Sequence, residues 1–205
     1  MRMKWCPVLI ALAVAPAVAE DGLTSLEDAA HAAFSEMPSV VLVDQIAGQC
    51  GADERVNPHA AYCTTRNIIF ARDITGAAQT YRVAHLFGHA VQVQHGIADV
   101  ALREIRTRPE KELELRGLVA RQVDCIAGLL SAKADLPWTP LTDLFEEEPF
   151  TGSHWGRDPL RIGPTVSIGL AERADWYARG YAADEISVCA VGGFGAALLF
   201  KAYRG

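Results

Sequence analysis

TYRVAHLFGHAVQVQHG, Thr80 to Gly96, places His85 and His89 four residues apart in a segment of helical character throughout. At about 100° per residue, positions i and i+4 stack on one helix face, which is the spacing of the HExxH zinc-binding motif. Leu86 follows the first histidine, where that motif needs glutamate. The motif's carboxylate takes a proton from metal-bound water, so an isobutyl group in its place removes the general base. His95 lies ten residues after His85, the first-to-third spacing of HExxHxxGxxH, but the position of that pattern's glycine is Gln92 and a glycine comes only at Gly96. On a helix continued to His95, the third imidazole sits roughly 240° round from His89 and cannot share a metal with it. The plain alternative is a pair of core or surface histidines at chance spacing.

Residues 1–19, MRMKWCPVLIALAVAPAVA, have a basic start at Arg2 and Lys4, an apolar middle and an A-x-A site at Ala17 to Ala19. This is the pattern of a secretory signal peptide, with cleavage near Ala19 and a mature chain of residues 20–205 in the periplasm or outside the cell. The apolar run is shorter than the ~20 residues of a bilayer span, so no transmembrane helix is expected after cleavage. The whole sequence carries 19 Lys and Arg against 25 Asp and Glu, a net charge of −6; loss of Arg2 and Lys4 lowers this by two, to −8. That balance argues against nucleic acid or anionic lipid as partner. The remaining length suits a single domain with its own core.

Removal of Cys6 leaves Cys50, Cys63, Cys125 and Cys189, an even number for an oxidising compartment. Four cysteines allow three pairings. Spacing favours Cys50 with Cys63, which flank one short polar loop, and Cys125 with Cys189, which would tie a central helix to the C-terminal region. A four-cysteine zinc site has no CxxC pair to support it.

The rest of the chain reads as mixed helix and strand. Helical composition covers LTSLEDAAHAAFSEM, with Leu23, Leu26, Ala30 and Ala33 or Phe34 near one face and His31 structural among alanines. SVVLVDQI at 39–46 and RNIIFARDI at 66–74 are β-branched runs of strand length, and His59 falls in the loop between them. KELELRGLVARQVDCIAGLLSAK, 111–133, is a long helix whose stripe takes in Leu113, Gly117, Ala120, Asp124, Ile126 or Ala127, and Leu130. Asp124 on that stripe is either a capped, solvent-facing acid or a buried one in need of a partner, and the imidazole N–H of a metal-ligating histidine is the usual one. Residues 136–159 form a long loop, and His154 is the only histidine downstream of His95 able to swing into a site. Helix returns over 167–185, with Ile168, Ala171, Asp175, Ala178 and Tyr181 near one face. The glycine-rich run at 190–200 is a segment packed on the core, with a partner-binding patch as the alternative.

These pieces resemble the bacterial neutral zinc metallopeptidases, whose zinc helix reads HExGH followed by Val-Gln. The match is His85-Leu86-Phe87-Gly88-His89 with Val91-Gln92, then Cys50-Gly51, Ala61-Tyr62-Cys63, Gln122-Val123-Asp124-Cys125-Ile126-Ala127-Gly128, and Glu172-Arg173 through Tyr177-Ala178-Arg179-Gly180-Tyr181. It spans roughly residues 50–189 in the right order. The resemblance implies His85 and His89 as the first two metal ligands and Asp124 as the aspartate supporting the site from the second shell. It also marks two losses, because Leu86 stands at the base and Ala120 at the third ligand, a glutamate in the family. Catalytic zinc is usually held by three protein ligands and water, so no cofactor is expected and zinc would bind only weakly.

The expected fold is therefore α+β and mainly helical. A small N-terminal strand pair or sheet packs on a zincin-like two-helix core tied by disulfides, all within one zinc-metallopeptidase-like domain. The expected function is that of a pseudopeptidase, without catalytic residues, that binds a protein or peptide. Two alternatives stand beside it: an active zinc metallopeptidase using another base and ligand set, such as His154 or an acid within 143–148, and a structural envelope protein.

Overall fold

The computed structural model describes residues 19–51, 57–151 and 166–205. The expected leader, apart from Ala19, and His154 lie outside the described residues. Within them the protein is mainly helical, with one three-stranded sheet and two disulfides. None of the described helices is long and apolar enough to cross a membrane.

Helix α1, Ala19–Ala33, buries Leu26, Ala30 and Ala33, and Phe34 just beyond it is fully buried. His31 lies outside that face, within 3.9 Å of the Glu27 carboxylate. The chain then lays down strand β1, Ser39–Val43, crosses to the far edge as β2, Ala60–Cys63, and turns back into the middle as β3, Ile68–Arg72. β1 pairs with β3 in parallel, from Ser39 opposite Ile68 to Val43 opposite Arg72, and β2 pairs antiparallel, from Ala60 opposite Ala71 to Cys63 opposite Ile68. Alternation divides the sheet: Ala60, Ile69 and Ala71 join the main core, while Cys63 and Phe70 pack with Ile46 on the other face. The sequence predicts β1 and β3 as strands, and β2 is an addition inside the segment between them that reads as a loop.

Helix α2, Ala77–Gln94, carries the histidine pair and ends where Gly96 takes a left-handed φ of 76°. A glycine tolerates that conformation without a Cβ clash, which makes it a common helix terminator. Helix α3, Ile97–Thr107, restarts at once on an amphipathic stripe of Ile97, Ala101 and Ile105 that the sequence reading passed over. A proline-led turn leads into α4, Glu112–Lys133, which buries nearly every residue from Leu115 to Ser131. A helix buried on several sides sits between neighbours: α2 and α6, Leu170–Tyr181, cover α4 most extensively. The short α5, Leu141–Leu144, precedes Pro149, and α7, Ala196–Ala202, closes the chain on the core through Leu199 and Ala202.

Two expected stripes need correction. Leu113 is 73% exposed rather than on the buried face of α4. On α6 the buried face is Arg173, Tyr177 and Gly180, rather than Ala171, Asp175, Ala178 and Tyr181. A charged residue and a glycine hold that face, so a reading keyed to apolar positions picks the wrong side.

Cys50 is bonded to Cys63 and Cys125 to Cys189, with Cα separations of 5.8 and 5.4 Å. These are the pairings that spacing favours. The first ties the turn after β1 to the end of β2, and the second ties α4 to the turn Ile186–Cys189 beyond α6. Loops of 13 and 64 residues give about 3 and 4 kcal/mol respectively in the chain-entropy picture of a cross-link.

Candidate functional site

The helices α2 and α4 run antiparallel in a register that their side chains define. His85 meets Asp124 and Gln92 reaches Val119 and Gln122. Between these points Gly88 lets the backbones approach, since a Cβ there would lie 2.7 Å from the Val123 carbonyl oxygen. In this register Ala120 falls across from His89.

Asp124 is the centre of the site, with no exposed surface. Its Oδ1 accepts from the Tyr81 hydroxyl at 2.9 Å and lies 2.8 Å from His85 Nδ1, and its Oδ2 accepts from Arg173 Nη1 at 2.8 Å. Burial works against the charged carboxylate, but Arg173 and His85 outweigh it and hold the Asp124 carboxyl below the usual range. An ionised carboxylate only accepts, so His85 Nδ1 carries the proton and Nε2 keeps its lone pair. Burial is the largest influence on His85 too, and it lowers the imidazole's pKa despite the attraction of Asp124. Tyr81, fully enclosed beside Asp124, is pushed well above the ordinary phenol value, first by burial and then by that charge.

Arg173 extends the network. Its Nε donates to Glu148 Oε1 at 2.7 Å and its Nη2 to the Phe150 carbonyl at 3.3 Å. Glu148 also accepts from the Ile168 and Gly169 amides at 3.0 Å each, and from the Ser167 hydroxyl, just before α6 begins. A carboxylate placed there satisfies amides ahead of the first turn and complements the helix dipole. The chain from His85 through Asp124 and Arg173 to Glu148 thus ties α2, α4 and α6 to the 145–151 loop.

Phe150 covers His85. Its ring stacks on the imidazole with centroids 4.1 Å apart and planes 5° from parallel, while His89 stands edge-on to His85 at 4.9 Å. Phe150 adopts φ 61°, a left-handed conformation that costs a bulky residue on the order of 1–3 kcal/mol. The clamp of Arg173 on the Phe150 carbonyl and on Glu148 two residues earlier holds it there. Phe145 adds a second aromatic wall, 5.4 Å from the Tyr81 ring.

Among the described residues, the donor set does not fit a catalytic zinc. His85 Nε2 and His89 supply two nitrogens, but Leu86 and Ala120 are 9% and 8% exposed members of the apolar core and supply no donor. Asp124 is taken up by three hydrogen-bond partners, and both oxygens of Glu148 are engaged. Among the described residues, no three His, Cys, Asp or Glu side chains come together around an ion position. His95 leaves the site at the helix end, its ring 6.2 Å from Phe34.

Of the residues singled out from sequence, the structure brings together His85, His89, Leu86, Ala120 and Asp124. It adds Tyr81, Glu148, Phe150 and Arg173. The available signal for Arg173 was the need of a buried Asp124 for a cation, combined with Arg173, Tyr177 and Gly180 at helical spacing.

The protonation states make stability pH-dependent. His85, depressed in the folded protein, binds a proton more readily when unfolded, so its contribution is complete above about pH 6.5 and falls as pH drops below that. His59 and His95 are lowered likewise, mainly by burial. Asp124 adds a second loss as pH falls below about 4, where the unfolded carboxyl takes up its proton first. Urea unfolding at pH 7.5, 6.0 and 5.0 is expected to show a falling midpoint. In His85→Gln the fall should be shallower, and an unchanged slope would detach His85 from the effect.

Compared with known proteins, the chain matches no family model, no curated protein and no solved structure.

Proposed function

We propose that this protein is a non-catalytic relative of the neutral zinc metallopeptidases that acts by binding a protein or peptide. One observation carries the reading: the position across from His89 and the position after His85 are both apolar and buried, while the Asp124 contact to His85 Nδ1 is kept. The support of a metal-ligating imidazole remains without the third ligand or the base, so the frame outlasts the chemistry. Phe145 and Phe150 are half-buried aromatic rings beside α2, a residue type enriched where proteins bind one another.

The natural sequence and three variants test this by calorimetric zinc titration and cleavage of fluorescent casein. The natural sequence is expected to bind no stoichiometric zinc and to leave casein intact. Leu86→Glu should restore nothing, because a carboxylate there faces no held metal, and it should destabilise by about 1–3 kcal/mol through its own burial. Ala120→Glu should raise zinc affinity by completing two histidines and a carboxylate, without activity. Only the double variant should show both stoichiometric zinc and weak, chelator-sensitive cleavage. Tight zinc binding with proteolysis in the natural sequence would overturn the reading.

A further inference from the structure

The ring of Phe150 lies in a slot with an aromatic floor. His85 stacks beneath it, centroids 4.1 Å apart and planes 5° from parallel, and Tyr81 stands beside it at 6.2 Å, tilted by 49°. Tyr81 and His85 are 1% and 2% exposed and cannot withdraw, because Asp124 holds them at 2.9 and 2.8 Å. Phe150 is half-buried and arrives from a loop. The floor is fixed by the core, and the occupant is not.

The way the loop is held separates the two. On one side of Phe150, Glu148 is tied by Arg173 Nε and by the Ile168 and Gly169 amides; on the other, the Thr151 carbonyl accepts from the Val166 amide at 2.9 Å. Phe150 itself accepts from Arg173 Nη2 at 3.3 Å, a longer contact than those Arg173 makes to Glu148 and Asp124. A phenyl has no polar atom, so stacking and burial alone keep its ring in the slot. The backbone works against them, since φ 61° is a conformation that a bulky residue avoids. Strain of this kind collects at ligand clamps and switch points, where a second arrangement lies close in free energy.

We propose that the slot over His85 is a subsite for an aromatic side chain of a bound peptide, and that Phe150 fills it until the ligand's ring takes its place. An incoming phenyl, phenol or indole makes the same stack on the imidazole and the same contact with Tyr81, and keeps the apolar floor out of water. Phe150 swings out between the ties at Glu148 and Thr151, so the Arg173–Asp124 pair stays intact. The peptide as the source of the ring rests on the reading of this surface as a peptide site.

N-acetylphenylalanine amide is the probe and N-acetylleucine amide its apolar counterpart without a ring, followed by NMR of the His85 and Phe150 side chains in the full mature chain. Phe150→Gly removes the occupant and accepts the left-handed backbone. It should bind the probe about tenfold more tightly than the natural chain, in which the ring must leave first. In the natural chain, saturation should break the ring contact between Phe150 and His85, and the leucine amide should bind neither protein. Equal affinity of the two proteins, no saturable response in Phe150→Gly, or equal binding of the leucine amide overturns the subsite. So does a Phe150 to His85 contact that survives probe concentrations about thirtyfold above the variant's Kd. Failure of both Phe150→Gly and Phe150→Ala to fold would overturn it too, because the ring would then be a structural plug. Since neither zinc nor casein enters this measurement, its failure leaves the test of the pseudopeptidase reading untouched.

Discussion

Asp124→Ala should destabilise the protein by about 3–5 kcal/mol, the range found when one partner of a buried ion pair is removed. The substitution strands three groups at once. Arg173, with a side chain 2% exposed, loses its fully buried counter-ion and keeps only Glu148; the Tyr81 hydroxyl and His85 Nδ1 lose their acceptor. A buried guanidinium without its anion and two unmade hydrogen bonds each carry a desolvation cost. Asp124→Asn should recover only part of the loss, since a neutral amide leaves the charge of Arg173 uncompensated. The informative comparison is Asp124→Ala with Arg173→Met, where apolar packing replaces the pair and stability should return toward the natural value. Denaturant unfolding of the four proteins measures this directly. A cost under about 1 kcal/mol for Asp124→Ala would mean that the network is not a structural tie.

The sequence made the helices and disulfides of this protein easier to read than its charge network, and the physical reason is range. HLFGH sits on a helix because local periodicity says so, and Cys50–Cys63 closes because two cysteines flank a short loop. The parallel pairing of β1 with β3 has no local signature: both runs read as strands, but the chain visits β2 between them. β2 itself, AAYC, lacks the β-branched run that marks its neighbours and gains its partners only from β3. Asp124 was recognisable as a group in need of a partner. Arg173 had only the indirect signal of its spacing with Tyr177 and Gly180, and Glu148 had none, because a buried charge looks in sequence like any surface charge until the helices carrying it are packed. Phe150 belongs to the same class: its left-handed backbone and its stack on His85 depend on Arg173 holding the loop. Leu86 and Ala120 were legible for the opposite reason, since a missing donor at a fixed motif position needs no tertiary knowledge.

Gly180→Ala should cost at least about 4 kcal/mol, against the gain of about 0.5–1 kcal/mol that the same change brings to an unobstructed helix interior. A Cβ at Gly180 would lie 1.8 Å from the Cys125 carbonyl oxygen, and one at Gly128 would lie 2.0 Å from the Tyr177 carbonyl oxygen. The two glycines face each other's helix, so α4 and α6 meet backbone to backbone, with no flexible side chain able to give way. Relief requires the helices to part, yet Cys125 is bonded to Cys189 and α4 is held on its other side by α2 at Gly88. Separation also pulls Arg173 from Asp124, since those residues sit on the same two helices, and the loss therefore includes the ion pair as well as the packing. Gly22→Ala on α1 is the control of opposite sign: its Cβ would meet only Leu136 and Thr80 side chains, at 3.5 and 3.9 Å, and thermal unfolding should show a small gain. A Gly180→Ala protein as stable as the natural one would mean that α4 and α6 are not in backbone contact. The route by which α6 delivers Arg173 to the site would then fall with it.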